Sequence, residues 1–380
     1  MKGRTTDVAI VGGGVIGCAL AWELARRGVD VTVVERGVPG HGASRAAGGM
    51  LAPVAEADEP GPFLRLATAS LGRWPAFVEA VREASGVPVE YRAAGKLCVA
   101  LDDDGAAALE AAYRWQRAAG HTVDWLNAAD ARALEPALSE AVQAATLVAA
   151  DHWVDNRRLG RALWVAAARA GARVRTGAAA VALLRGPGPA GSTGVIGVAL
   201  DDGGRVDAGA VVVAAGCWSG LLAGLPRPLP VIPVRGQMAA VRTVPPALGR
   251  TVMAGHTYLI PRGDGRIIIG ATSERVGFRA HTTPAGIASL LTAALRVVPS
   301  LADAPLTETW AGLRPGTPDG GPILGPDPEI PGLFYATGHF RNGILLTPIT
   351  AALLADAVTG EPTSLPLDAF APDRFAEVTA

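Results

Sequence analysis

The glycine run that opens at Gly12 constrains this 380-residue chain more than any other feature. The apolar run Val8-Ala9-Ile10-Val11 leads directly into Gly12-Gly13-Gly14-Val15-Ile16-Gly17, which satisfies G-x-G-x-x-G at Gly12, Gly14 and Gly17. The first glycine permits a tight turn, the second lets backbone approach a pyrophosphate, and the third lets helix pack on strand. A helix is predicted through Ala19 to Arg27, its N-terminal amides aimed at phosphate, with Val15 and Ile16 in the turn that opens it. Gly28 stops it, and Val29 to Val34 reads as the second strand. Glu35 ends that strand where a carboxylate should receive ribose hydroxyls. An acid there disfavours a 2′-phosphate, so FAD or NAD is preferred to NADP.

Two apolar segments admit other readings. Lys2 and Arg4 precede an apolar stretch carrying Val15-Ile16-Gly17-Cys18 and Ala19-Leu20-Ala21, which matches a signal peptide or lipoprotein box. A signal peptide has no reason to be followed by a glycine stop, a strand and a terminal acid in register. A glycine triplet is also a poor centre for its apolar helix, so the nucleotide reading is preferred. The stretch from Ala208 to Pro226 is uncharged and near the length of a membrane span. Gly209, Gly216, Gly220 and Gly224 interrupt it, and Val211-Val212-Val213 predicts a buried strand, a glycine turn and a short helix instead.

Half the residues are apolar (49%) and 18% are charged, which supports a substantial core and argues against disorder. With 34 basic and 35 acidic residues, the chain sets up no long-range field for nucleic acid or an anionic membrane. Cys18, Cys98 and Cys217 are scattered and form neither a disulfide framework nor a metal-spaced set. No metal is expected, and a reducing, cytoplasmic location is.

FAD is preferred to NAD because of the segment just past the acid. Gly42-Ala43-Ser44-Arg45-Ala46-Ala47-Gly48-Gly49-Met50-Leu51-Ala52 is a small-residue stretch whose backbone could lie against a flat ring. Glycine and serine clusters are also ordinary loops. Two more strand-then-glycine signals, Val211 to Gly216 and Leu333 to Gly338, suit a cofactor touched from both ends of the chain.

The pieces GASRAAGGMLAP, VVVAAGCWS, HTYLIPR, WAGLRPGTPDGGPILG and GHFRNGILLTPIT resemble the D-amino-acid-oxidase-related FAD-dependent oxidoreductases. The last two are most similar to the glycine-oxidising, thiamine-pathway branch of that family. The resemblance runs from Val8 to about Ala357 and is weakest over Ala93 to Leu147. It implies noncovalent FAD, since none of the cysteines lies near Leu313 and Arg314, where related sarcosine oxidases attach flavin. It also implies oxidative deamination of glycine, or of sarcosine or small D-amino acids, with O2 as acceptor. The alternative is a D-amino-acid or N-methyl-amino-acid oxidase or dehydrogenase. The oligomeric state is left open, and a homo-oligomer is compatible.

Carried over residue by residue, the resemblance makes Arg314 the substrate-carboxylate clamp, the role suited to a guanidinium. Without it, Arg314 reads as a surface arginine before a Pro-Gly turn. Tyr258 would bond the same carboxylate, and Arg341 would stand at the flavin and substrate end of the pocket. His256, two residues before Tyr258, borders the site or is a strand-edge histidine, and is given no catalytic role. Ser273 stands where some relatives place a larger residue. The cofactor-binding set is completed by Arg36, Ala43, Ser44, Gly48, Gly49, Met50, Ala180, Gly216, Gly338, His339, Phe340, Asn342, Gly343, Ile344 and Leu345. Leu345 onward would open the last helix, with Pro348 in its first turn. No side chain is assigned as catalytic, because hydride transfer needs orientation rather than a triad.

The expected fold is α/β, a Rossmann-type FAD-binding domain with a second α+β domain whose mainly antiparallel sheet covers the flavin. The first is discontinuous, residues 1–92, 148–228 and 310–380; the second takes 93–147 and 229–309. Gly186 to Thr193 reads as a surface loop, and the Pro-rich tail beyond Glu361 as a loosely packed end.

Overall fold

The computed structural model describes residues 5–54, 60–187 and 193–379. Two large sheets organise them. In the first, Thr5–Val11 lies between the parallel strands Val31–Glu35 and Arg205–Val213, and Arg173–Thr176 extends the set. Leu333–Thr337 adds in parallel to the end of Arg205–Val213, while the antiparallel ribbon Ala180–Pro187 and Thr193–Leu200 pairs with its start. Alternation assigns the faces. Val8, Ile10, Val31, Val33 and Val212 pack with helices Val15–Arg26, Pro62–Ser85, Asn156–Arg169 and Thr347–Thr359. Their neighbours Ala9, Val11, Val34, Val211 and Val213 join a separate core on the opposite face. The first helix begins at Val15, directly on the fingerprint, earlier than its apolar run alone suggests.

The second sheet runs in the order Leu306–Gly316, Ile232–Arg242, Arg266–Gly270, Thr257–Pro261, Thr251–Ala254, Lys96–Ala100, Ala144–Val148 and Asp124–Asn127. It is antiparallel except where Thr251–Ala254 meets Lys96–Ala100. Ala239, Val241, Leu259, Ile267 and Ile269 face the helix Pro284–Val297, and the alternate residues Met238, Ala240, Ile260 and Ile268 meet Met50 and Tyr258. A small sheet, with Met50–Leu51 and Tyr91–Arg92 flanking His152–Val154, completes the architecture.

Three expectations meet a different structure. Leu306–Gly316 pairs with Ile232–Arg242 over its full length, from Leu306 opposite Val241 to Gly316 opposite Ile232, so a division at 309/310 cuts a continuous ladder. The second sheet's share of the chain ends at Gly316. The tail is packed rather than loose: Phe370 and Phe375 are buried in the two cores of the first sheet, and Arg374 bridges Asp319 at 2.9 Å. Prolines around these two aromatic anchors disguised them as linker. Of the loop at Gly186 to Thr193, Gly186 and Pro187 end one strand and Thr193 begins the next; residues 188–192 lie outside the described residues. The stretch after Ala208 is strand to Val213 and then a short 3-10 helix, Gly216–Leu221. Among the described residues no helix is long and apolar enough to cross a membrane.

Candidate active site

The two sheets enclose a cavity of about 820 Å³ between them. Its nucleotide end is built on the fingerprint. Gly12 has φ +109°, and a Cβ there would lie 2.4 Å from the carbonyl oxygen of Ala214. A Cβ on Gly17 would fall 1.9 Å from the Gly12 carbonyl oxygen, so only glycine lets the helix start against the turn. Ser44 Oγ accepts from the Val15 amide at 3.0 Å and ties the small-residue stretch to the fingerprint. Glu35 stands at the strand end on the cavity wall, its two oxygens accepting from the amides of Gly13 (2.7 Å) and Gly37 (2.8 Å). Beside it the Arg36 guanidinium lies 3.5 Å over the ring of Trp218.

The stretch from Ser44 to Gly49 owes its shape to donors behind the wall. Asn156 Nδ2 donates to the carbonyls of Ser44 (2.7 Å) and Arg45 (3.1 Å), and Trp310 Nε1 to that of Ala46 (3.0 Å). Arg262 donates to the Gly48 carbonyl at 2.6 Å, and the Val154 amide to that of Gly49 at 2.9 Å. None of these donors lines the cavity, so the carbonyls turn away from it. Gly48 is pressed by the second sheet: a Cβ there would lie 2.9 Å from Ile260 Cδ1 and 3.0 Å from the Tyr258 ring.

From the other end of the chain, residues 339–344 close the wall. Phe340 is the one non-glycine among the described residues with positive φ (+46°), held by its amide donating to the Pro315 carbonyl at 2.9 Å. His339 is buried, with Nε2 3.1 Å from Thr350 Oγ1, and burial lowers its imidazole to about 3. The ring is therefore neutral at pH 7. The helix Thr347–Thr359 begins directly behind, with Pro348 in its first turn.

Against the second sheet, Arg314 lies across Gly236 of the adjacent strand, where a Cβ would come within 2.3 Å of its terminal nitrogens. One of those nitrogens donates to the Thr272 carbonyl at 3.0 Å. Among the described residues no carboxylate pairs with Arg314, and it lines the cavity. Tyr258 Oη donates to Met238 Sδ at 3.4 Å. Arg341 is exposed at the rim, over the ring of Phe340. His256 occupies the turn between Thr251–Ala254 and Thr257–Pro261 rather than a strand, exposed at the mouth with Ser273. Cys217 is also on the wall, its thiol pushed up to about 12 by burial.

The cavity thus brings together Arg314, Tyr258, Arg341, Gly12, Gly14, Val15, Ile16, Glu35, Arg36, Ala43, Ser44, Gly48, Gly49, Met50, Ala180, Gly216, His339, Phe340, Asn342, Gly343 and Ile344. Three expected residues stand behind it. Gly17 serves helix packing; Gly338 (φ +72°) backs onto Thr317; and Leu345 is buried, its carbonyl accepting from Ser70 Oγ (2.6 Å) and Trp74 Nε1 (2.9 Å). Leu345 comes directly after the loop in sequence, but the turn into the helix rotates it into the core. Sequence reasoning passed over Met238, Thr272 and Trp218 on the wall, and Asn156, Trp310 and Arg262 behind it. Trp218, Trp310 and Arg262 lie inside the quoted motifs, but nothing marked the last two as donors to carbonyls.

The residues present fit FAD. Glycines clear space for a pyrophosphate at a helix N-terminus, an acid ends the second strand, and small residues from both chain ends line one continuous wall. The bifunctional ThiO/ThiG protein of Synechocystis sp. is 40% identical over 99% of this chain, which spans about half (55%) of that relative's length. Glycine oxidase of Geobacillus kaustophilus is 39% identical, with 97% of each chain covered. A crystal structure of glycine oxidase from the same organism superposes with a TM-score of 0.92 at 37% identity, covering 98% of this chain and 99% of that one. The family model described as FAD dependent oxidoreductase matches residues 7–357, and the chain belongs to that family of enzymes.

Proposed function

We propose that the chain oxidises glycine to its imine, which water hydrolyses to glyoxylate and ammonia, with O2 reduced to hydrogen peroxide. On this reading the imine supplies thiazole synthesis for thiamine. The observation that carries the proposal is Arg314, a cation on the cavity wall with no acidic partner among the described residues. A guanidinium in that setting suits a substrate carboxylate, gripped through two parallel hydrogen bonds. Bound FAD supplies the two-electron acceptor for the hydride that leaves Cα. Gly12, Gly14, Val15, Glu35, Arg36, the 43–50 segment and residues 339–344 would hold it.

The protein's own contribution is orientation and the exclusion of water. Arg314 fixes the carboxylate, Tyr258 covers it, and Arg341 adds positive charge at the rim. Neither buried titratable group on the wall can take the amine proton. His339 is too weak a base, and the Cys217 thiol stays protonated. On this reading glycine reacts as the free amine.

Ser273, small and exposed at the mouth, favours a second reading in which sarcosine or small D-amino acids are also accepted. Anaerobic mixing with glycine, sarcosine and D-alanine decides between them. Glycine should bleach the flavin absorbance fastest; bleaching by D-alanine with none by glycine would remove glycine from first place. Turnover with electron-transport dyes but not with O2 would make the enzyme a dehydrogenase.

A further inference from the structure

Among the described residues, the Arg314 guanidinium has one hydrogen-bond acceptor, the carbonyl of Thr272. A carboxylate fixes the residue that carries it. The Thr272 hydroxyl donates to Glu274 Oε1 at 2.6 Å and accepts from the Gln237 amide at 2.9 Å. The same Oε1 accepts from Gln237 Nε2 at 2.7 Å, while Oε2 takes the Arg235 guanidinium. Arg235 and Glu274 also exchange main-chain hydrogen bonds of 2.8 and 2.9 Å. Gln237 Oε1 accepts the Thr283 amide at 2.7 Å, closing the base of the loop that opens at Glu274. Gln237 is 0% exposed and Arg235 5%. Hydrogen bonding from Arg235 leads the causes that hold the Glu274 carboxyl down to about 2, so the network is charged at any working pH.

An ion pair between a buried arginine and a half-buried glutamate is weak evidence for stability, because such pairs contribute little net energy. What such a pair does supply is one fixed arrangement of its partners. Here that arrangement reaches the cavity through Thr272: Arg235, Gln237, Glu274 and Thr283 are all absent from the wall. We propose that Glu274 is a positioning residue for substrate capture. Acting through Thr272, it sets the plane of the Arg314 guanidinium against Gly236, and with it the geometry in which a carboxylate is gripped. A misplacement of about 1 Å at such a clamp can cost on the order of a hundredfold.

The inference rests on the reading of Arg314 as the carboxylate clamp, and the test separates the two. Holoenzymes carrying Glu274→Gln, Thr272→Val and Arg314→Met are compared for KM and kcat with glycine. Each is also titrated with glycolate, an unreactive carboxylate, and its Kd read from the perturbed flavin absorbance. Glu274→Gln and Thr272→Val should raise KM and the glycolate Kd roughly ten- to a hundredfold, with kcat at saturation and FAD content little changed. If Arg314→Met raises both constants while the other two variants leave them unmoved, the inference is overturned and the clamp stands. If Arg314→Met also leaves them unmoved, both fall. A drop in kcat or FAD content with KM and Kd unchanged would mark the network as merely structural and overturn the inference too. Should Glu274→Gln fail to fold, Thr272→Val, which keeps the Arg235–Glu274 pair, decides by the same readouts.

Discussion

His339 offers a test of how tightly the cavity wall is closed. It is 3% exposed, and burial brings its imidazole down from 6.5 to about 3. The folded chain therefore keeps the ring neutral through the weakly acid range, whereas the unfolded chain takes up a proton near 6.5. Because the unfolded state binds the extra proton, this group's contribution to stability is lost as pH falls from 6.5 toward about 3. Inside that window the slope is about 1.4 kcal/mol per pH unit. Integrated from pH 7 to pH 5, it amounts to about 2 kcal/mol. His339→Gln removes the titration while leaving an amide to meet Thr350 Oγ1. Chemical denaturation at both pH values, with FAD in fixed excess, should show the variant losing about 2 kcal/mol less on acidification than the parent. Every other titrating group contributes to both proteins and cancels. Equal losses would refute the reasoning, because they would mean that the folded ring accepts a proton as readily as the unfolded one.

Gly17→Ala places a Cβ 1.9 Å from the Gly12 carbonyl oxygen and should drive the helix off the strand, so the variant is expected to purify without yellow colour. Retention of stoichiometric FAD would show that the turn can yield. Arg262→Met removes the 2.6 Å bond to the Gly48 carbonyl and the guanidinium stacked 4.7 Å over Trp153. Leaving that carbonyl unpaired costs about 1–3 kcal/mol, so the FAD Kd of the apoprotein, read by flavin fluorescence, should rise by roughly tenfold; an unchanged Kd would show that the loop holds its shape unaided. Phe375→Ala should destabilise the chain by about 3 kcal/mol and lower its Tm, whereas an unmoved Tm would mean that the tail does not contribute to the core.

What could be read from sequence divides along a physical line. Gly12, Gly17 and Glu35 were legible because a single strand–turn–helix–strand unit contains most of their constraints: Gly17 answers to Gly12, and Glu35 to Gly13 and Gly37. Arg314 needed the family resemblance, since an arginine before Pro-Gly looks like any surface arginine until the neighbouring strand puts Gly236 under it. Asn156, Trp310 and Arg262 were beyond reach. Their partners are main-chain carbonyls 112, 264 and 214 residues away, and a carbonyl has no side chain through which a sequence could signal it. Leu345 failed for the opposite reason. Its position beside Ile344 implied a shared role, and one step of helical rotation was enough to send it into the core.

The strand Leu306–Gly316 shows why the small-residue segment and the proposed clamp, Arg314, need not be aligned by domain docking. Its ladder with Ile232–Arg242 is regular from Trp310 to Arg314, so Trp310, Gly312 and Arg314 share one face. Trp310 holds the Ala46 carbonyl. Gly312 is packed so closely that a Cβ would lie 2.3 Å from Ala46 Cβ, and Arg314 carries the free guanidinium edge. Four residues of strand span about 13 Å, and that length is set by covalent geometry and the pleat rather than by side-chain packing. The same strand therefore fixes the small-residue segment at one point and the Arg314 guanidinium at another. A hinge between the two sheets would have to break the contacts at Ala46 before it could change the spacing between that segment and Arg314, which makes the orientation of the guanidinium at Thr272, rather than its distance, the adjustable quantity.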